Sequence, residues 1–237
     1  MISDGLCVSF QVPMSYRAVT PTLEGFIQQL ACCYLTHGYW FYVAGFVPEG
    51  KDPAAVDAKL VAKYGVAVSE STRFRRKRVG FANLQYLRFE RSFLLIATLG
   101  SHPFKEDEAG VLKDIRRVPV KIGGYSVSYR RGGRTRAGEK DPCWHSHVEI
   151  YRPEFNRLRA YFQEIAVRRS VDQLAMEFYR LPFEPYAPVR RQMLQLWKDV
   201  NARRKTAGLS LLPIEVLPLR RKVMKPFEPR PGYGVAG

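Results

Sequence analysis

Acidic residues are scarce in this chain: 22 Asp and Glu stand against 38 Lys and Arg. Cysteine is scarce too. Cys32 and Cys33 are adjacent, Cys7 and Cys143 stand apart, and no C-x-x-C pair occurs. That spacing argues against a zinc ribbon and against a secreted disulfide framework, and it fits reduced thiols. No apolar run approaches the roughly 20 residues that span a bilayer. No basic stretch followed by an apolar one opens the chain, so no secretory signal is expected. A cytoplasmic protein without a membrane partner is the expectation. The chain also lacks the Gly-x-x-x-x-Gly-Lys phosphate loop, the Rossmann glycine pattern, the Gly-x-Ser-x-Gly elbow, zinc-finger spacing and an RRM signature. No nucleotide cofactor is therefore expected. No internal repeat is visible.

What is present is positive charge and material for a core. The formal net charge is +16 over 237 residues, with 46% hydrophobic and 13% aromatic side chains. Such a chain buries a core and is not a disordered basic tail. The uncompensated charge repels itself until a polyanion releases its counterions to the protein. DNA or RNA is the expected partner.

Periodicity gives the elements. Val8–Val12 reads as a short extended segment. Thr20-Pro21 reads as a helix cap and first turn. Leu23, Phe26, Ile27, Leu30, Ala31 and Tyr34 then form an apolar helical face, with Gly38 as the stop. Residues 39–47 read as a buried strand. Asp52-Pro53 caps a helix with Val56, Leu60 and Tyr64 inward, ended by Gly65. Strands follow around 84–90 and 93–99, the second apolar enough to be central in a sheet. Gly100–Gly110 reads as a polar loop carrying His102 and the acidic Glu106-Asp107-Glu108. Val118–Ile122 and Tyr125–Arg130 read as strands joined at Gly123-Gly124. His145–Tyr151 is a further strand. Helices open at Pro153, at Ser170, and after a proline-marked linker at Pro188. The class is α+β: an antiparallel sheet with helices on one face, in a ferredoxin-like or related arrangement. The expected division is a core over 1–181 and a basic helical extension over 182–237 packed on it.

Three basic clusters are candidate phosphate contacts. The first is Arg73, Arg75, Arg76, Lys77 and Arg78. The second is Arg130, Arg131, Arg134 and Arg136, in a loop with Gly132-Gly133. The third lies near the C-terminus and includes Arg190, Arg191, Lys198, Arg203, Arg204, Lys205, Arg220, Arg221 and Lys222. Arginine dominates the first two, and its planar fork suits phosphate oxygens and stacking on bases. Phe74, Tyr125, Tyr129 and Trp144 lie near these cations. They could stack on unpaired bases or belong to the core.

The sharpest candidate for chemistry is Trp144-His145-Ser146-His147-Val148-Glu149-Ile150. Alternation along a strand puts His145, His147 and Glu149 on one face. Two imidazoles and a carboxylate can ligate a divalent metal such as Mg²⁺, Mn²⁺ or Zn²⁺, and a metal there could polarise a phosphodiester. Hydrogen-bonded or solvent-facing histidines would look the same in sequence. Over about residues 125–154 the chain resembles the rolling-circle replication initiators and related HUH endonucleases, which carry a histidine–hydrophobe–histidine strand and a tyrosine nucleophile on a later helix. The resemblance implies a metal-dependent strand-nicking activity, with Tyr161, Tyr179 or Tyr186 as nucleophile. It departs from that pattern at Ser146, at Glu149 and in the absence of Tyr-x-x-Lys. Three readings follow: a nucleic-acid-binding protein of a mobile-element or plasmid-type system, a metal-dependent nicking enzyme, or a non-catalytic RNA–protein assembly factor.

Overall fold

A computed structural model describes residues 16–133, 138–181, 186–217 and 225–228. The expected segment over 8–12 lies outside them, as do Arg134, Arg136, Arg220, Arg221 and Lys222. The protein is α+β, with two antiparallel sheets where one was expected.

The chain enters through α1 (Leu23–Gln28), which continues as a π-helical turn (Gln29–Tyr34) and a 3-10 turn (Leu35–His37). Its cap is Thr22, whose hydroxyl accepts the Gly25 N–H, not the expected Thr20. Thr20 is buried and its hydroxyl donates to the Arg88 carbonyl. Gly38 ends the segment at φ 89°, a left-handed conformation that a Cβ would strain. Strand β1 (Tyr39–Phe46) follows, then α2 (Pro53–Lys63), capped by Asp52, and α3 (Glu70–Arg78), capped by Ser69. Strands β2 (Leu84–Phe89) and β3 (Ser92–Thr98) form a hairpin. A short helix α4 (Pro103–Asp107) and the brief strand β4 (Lys113–Asp114) close the first half. The larger sheet has the order β2-β3-β1-β4, and every pairing within it is antiparallel. Strand β3 is central, as its unbroken apolar run predicts.

The second sheet comprises β5 (Val120–Ile122), β6 (Tyr125–Arg131) and β7 (Trp144–Ile150), in that order. Gly123 and Gly124 join β5 to β6 with both φ angles positive, the requirement of a tight hairpin turn. Helices α5 (Arg152–Ile165), α6 (Val171–Arg180) and α7 (Ala187–Thr206) complete the chain, with Ser170 forming a full capping box. The Gln192 side-chain amide closes the free edge of β7. It accepts the Ile150 N–H at 2.7 Å and donates to the Ile150 carbonyl at 2.9 Å.

Alternation along β1 to β3 feeds two cores. Leu84, Tyr86, Leu95 and Ala97 pack with Tyr64 and Val66 after α2 and with Phe104 of α4. The opposite residues, among them Tyr42, Leu87, Leu94 and Ile96, join the α1 segment, the second sheet and α5 to α7 in one larger cluster. The larger sheet is therefore covered on both faces, by α2 and α4 on one side and by α1 and the second sheet on the other. The expectation of helices on one face holds for α2 and α4 only. Val189, Met193, Leu196 and Val200 of α7 belong to the larger cluster, so the region after residue 182 shares the core.

A carboxylate is buried beside the smaller core. Asp57 of α2 is 9% exposed; it accepts the Tyr86 hydroxyl at 2.5 Å and the Arg88 Nε–H at 2.8 and 2.9 Å. Burial, followed by the Asp57 carboxylate, pushes the Tyr86 phenol well up and keeps it a donor. Removing one partner of such a pair strands the other without water. Asp57→Ala is therefore expected to cost about 3–5 kcal/mol in urea unfolding, as for a broken buried ion pair. A loss below about 1 kcal/mol would show the pair to be peripheral.

Candidate nucleic-acid interface

Helix α3 carries the first basic cluster and buries no side chain. Two of its arginines fasten it to the fold. Arg73 donates to the Val66 carbonyl at 3.1 Å and Arg76 to the Gly65 carbonyl at 3.3 Å, while the Asn83 amide holds the Arg73 carbonyl at 2.9 Å. Arg75, Lys77 and Arg78 are exposed, and Phe74 lies beside them at 64% exposure under the Arg78 guanidinium. Among the described residues no carboxylate pairs with any of the five cations of this helix.

His102 and α4 lie next to this helix. The expected loop is thus partly helical, with His102 as its cap: Nδ1 accepts the Phe104 N–H at 3.1 Å. Burial lowers the His102 pKa, and the nearby Arg76 and Lys105 lower it further. Lys105 donates to the Gly100 carbonyl at 2.7 Å and stands 4.3 Å from the Phe41 ring centre. Arg116 continues the row. It is forked against Asp114 at 2.7 Å, and its guanidinium carbon lies 4.5 Å from the ring centre of Trp40, 5.7 Å from that of Phe41 and 6.0 Å from that of Trp144. Although burial opposes it, Arg116 holds the Asp114 carboxyl below its usual range.

At the seam between the sheets three rings stack. Trp40 of β1 and Tyr129 of β6 are 6.0 Å apart at 24°, and Tyr129 and Trp144 of β7 are 5.8 Å apart at 20°. Arg131 stands 5.7 Å from Trp144. Of the four aromatics singled out in sequence, Tyr125 and Tyr129 are buried, while Phe74 and Trp144 are exposed. Trp40, Phe41, Lys105 and Arg116 were not foreseen. Their only sequence signal is an aromatic run and an Arg116-Arg117 pair, and neither reveals which ring meets which cation.

On β7, His145, His147 and Glu149 share a face opposite Arg130, Ser128 and Ser126 of β6. His145 and Glu149 are engaged by other side chains. His145 Nε2 is 2.8 Å from Asp141, which also accepts the Cys143 N–H. Those two contacts, the Cys143 N–H first, hold the Asp141 carboxyl below its usual range. Gly132 makes the approach possible, since a Cβ there would lie 2.3 Å from the Asp141 carboxylate. Glu149 is 3.5 Å from Arg130. His147 Nδ1 and Ser128 Oγ are buried without a hydrogen-bond partner. Burial lowers the His147 pKa; Arg130 and Arg191 lower it further and Glu149 opposes them. Among the described residues no three His, Cys, Asp or Glu side chains come together as a metal-binding group. The donor set fits a divalent ion poorly, because two of the three candidates are held by other partners and two guanidinium groups act on the third.

Tyr161 and Tyr179 stand exposed on α5 and α6, and Tyr186 precedes α7 with its hydroxyl 4.0 Å from the Cys32 thiol. In the third cluster Arg190, Arg191, Lys198, Arg203 and Lys205 are exposed on α7. Arg204 is a correction: it is 3% exposed and donates to the carbonyls of Ser210, Ala166 and Arg169. Its fork tethers the C-terminal end of α7 to the end of α5 and does not face a ligand.

Comparison with known proteins gives no match: no family model, no curated protein and no solved structure is significantly similar to the chain.

Arg204→Ala leaves three carbonyls without their donor, so it is expected to lower stability by about 2–4 kcal/mol in urea unfolding. The neighbouring Arg203→Ala should stay within about 0.5 kcal/mol. Equal effects would remove the distinction between tether and surface charge. For His102, the folded pKa lies below the unfolded value of about 6.5, so the unfolded chain takes the proton first. The stabilisation from the neutral cap is complete above that pH and is lost as pH falls through the folded pKa. His102→Asn keeps a capping acceptor and removes the titration. Its unfolding free energy, measured against pH, should fall less below about pH 6.5 than that of the unaltered protein. Parallel curves would refute the assignment.

Proposed function

We propose that the protein binds nucleic acid, with the exposed cations of α3 as its principal phosphate contacts. The observation that carries this reading is the state of α3: five basic residues in a nine-residue helix that buries no side chain, with no acidic partner among the described residues. A solvated basic face would serve solubility equally well if its charges were dispersed. Here they crowd into the last turns, where each adds to the repulsion that a polyanion would relieve. The carbonyl tethers of Arg73 and Arg76 fix the helix and leave Arg75, Lys77 and Arg78 projecting. Arg130, Arg131, Arg190 and Arg191 are also exposed, on β6 and α7.

The larger sheet suits this role as a scaffold. A helix-bearing connection links β1 to β2 and another links β3 to β4, and with the order β2-β3-β1-β4 these support reading the sheet as a split, ferredoxin-like arrangement. This is a fold-level analogy and names no particular nucleic acid. Membership in a plasmid or mobile-element system rests on the local resemblance over 125–154 alone. The nicking reading has less behind it, because His145, His147 and Glu149 do not converge as a ligand set.

The test is binding of labelled oligonucleotides across a salt series. Each cation that neutralises a duplex phosphate contributes about 0.9 to the slope of log affinity against log salt. The combined Arg75→Ala, Lys77→Ala and Arg78→Ala variant should lower that slope by about 2–3 and bind correspondingly more weakly. Stability should change little, since all three side chains are exposed. Unchanged affinity and slope would remove α3 from the interface, and no binding by the unaltered protein would overturn the function.

A further inference from the structure

From the ring stack at the seam we infer a site for an unpaired nucleobase, built on the outer side of Trp144. This deepens the proposed function and rests on it: the partner would be single-stranded, or locally unpaired, nucleic acid. Three observations carry the inference. First, Trp144 is 38% exposed although it ends a row of near-parallel rings. Tyr129 supports one side of it, and the side chain of Arg131, itself exposed, lies by its ring. A base entering here would extend the row from Trp40 through Tyr129 and Trp144, and the exposed Arg131 side chain, now over the Trp144 ring, would move aside to admit it. Aromatic and guanidinium planes take any base in this manner, because every base has a π-face.

Second, the rings are backed by structure. Trp40 donates its indole N–H to the Leu35 carbonyl at 3.2 Å, and Ser146, next but one to Trp144, donates to the Ala31 carbonyl. The platform is thus fixed before a ligand arrives, which lowers the ordering cost of binding. Third, cations and rings alternate from the seam toward α3. Arg116 lies over Trp40 and within 6.0 Å of the ring centres of Trp144 and Phe41; Lys105 lies over Phe41; Lys105 and Arg76 both act on His102. A strand with its base on Trp144 could run past this row to the exposed cations of α3. A duplex offers no free base faces along its length, so the seam would add nothing to duplex binding.

The test compares full-length protein with Trp144→Ala and Trp144→Phe on a labelled thymidine oligonucleotide and on a duplex of mixed sequence. Thermal unfolding checks that each variant is folded. Trp144→Ala should weaken single-strand binding by about 5- to 100-fold, the range for one lost base stack, and leave duplex binding and the single-strand salt slope unchanged. Trp144→Phe should retain most of the affinity. If Trp144→Ala does not fold, tryptophan emission decides: the oligonucleotide should quench the unaltered protein more than Trp144→Phe. Equal single-strand affinities for the unaltered protein and Trp144→Ala, or equal quenching, would overturn the base site while leaving α3 binding intact. Failure of the unaltered protein to bind either oligonucleotide would instead overturn the function on which the site rests.

Discussion

Strand β1 lies between β3 and β4 and carries large side chains on both faces, so neither face can be left to water. Phe41 and Val43 turn toward α2 and α4, and Trp40 and Tyr42 turn toward the second sheet. Burying an aromatic or large aliphatic side chain contributes about 1.5–3 kcal/mol, so covering both faces is a major term for the larger sheet. The second sheet supplies one of those covers. Tyr42 joins the two directly: its hydroxyl donates to the Val118 and Pro119 carbonyls at 3.1 Å just before β5, and burial pushes its pKa up to about 12. The pairing of β1 with β3 shifts register between Tyr39 and Phe41. An irregularity of this kind increases twist and re-aims a side chain. It falls at Trp40, the residue that stacks on Tyr129.

The scarcity of acids determines which cations remain available. Asp57 is committed to Arg88, Asp114 to Arg116, Asp199 to Arg159 and Glu149 to Arg130. Each of those pairs holds a strand or helix in place. Arg73, Arg76 and Arg204 anchor instead to backbone carbonyls, a use of arginine that needs no counter-charge. Among the exposed cations with no carboxylate in ion-pair range, Arg75, Lys77 and Arg78 stand within one turn of α3. The carbonyl end of a helix favours cations by about 0.3–1 kcal/mol each, which offsets part of the repulsion among Arg75, Arg76, Lys77 and Arg78. The remainder is what a polyanion would relieve.

Much of the fold was legible because local chemistry dictates it. The Asp52 and Ser170 caps, the stop at Gly38, the Gly123-Gly124 turn and the central position of β3 each follow from a few neighbouring residues. The misses share a different cause. Whether residues 118–151 extend one sheet or form a second depends on pairings far apart in sequence. Thr20 looked like a cap because the pattern Thr-Pro does not reveal that Arg88 would claim its hydroxyl. Arg204 read as surface charge because it sits among other basic residues, and only the packing of α7 against the end of α5 buries it. At the candidate site, alternation correctly placed His145, His147 and Glu149 on one face. It could not show that Asp141 and Arg130 engage the first and last of them. The ring stack was illegible for the same reason, since Trp40 and Trp144 are brought together by two different sheets.

Arg116 shows why phosphate contact alone accounts poorly for the seam. Its fork is engaged by Asp114, so its charge is largely answered within the fold. A side chain placed to hold phosphate would leave that fork free of a carboxylate, as Arg75 and Arg78 do on α3. The Arg116 guanidinium, by contrast, lies over the Trp40 ring, and a guanidinium can serve a carboxylate at its edge and a ring on its face at once. On the proposed reading the two regions therefore act through different physics. The α3 cations would act by counterion release, which weakens steeply with salt. The seam would act by stacking on rigid rings, with no phosphate charge to neutralise. A protein that combines both can hold a backbone loosely wherever charge is met and grip it only where a base is free.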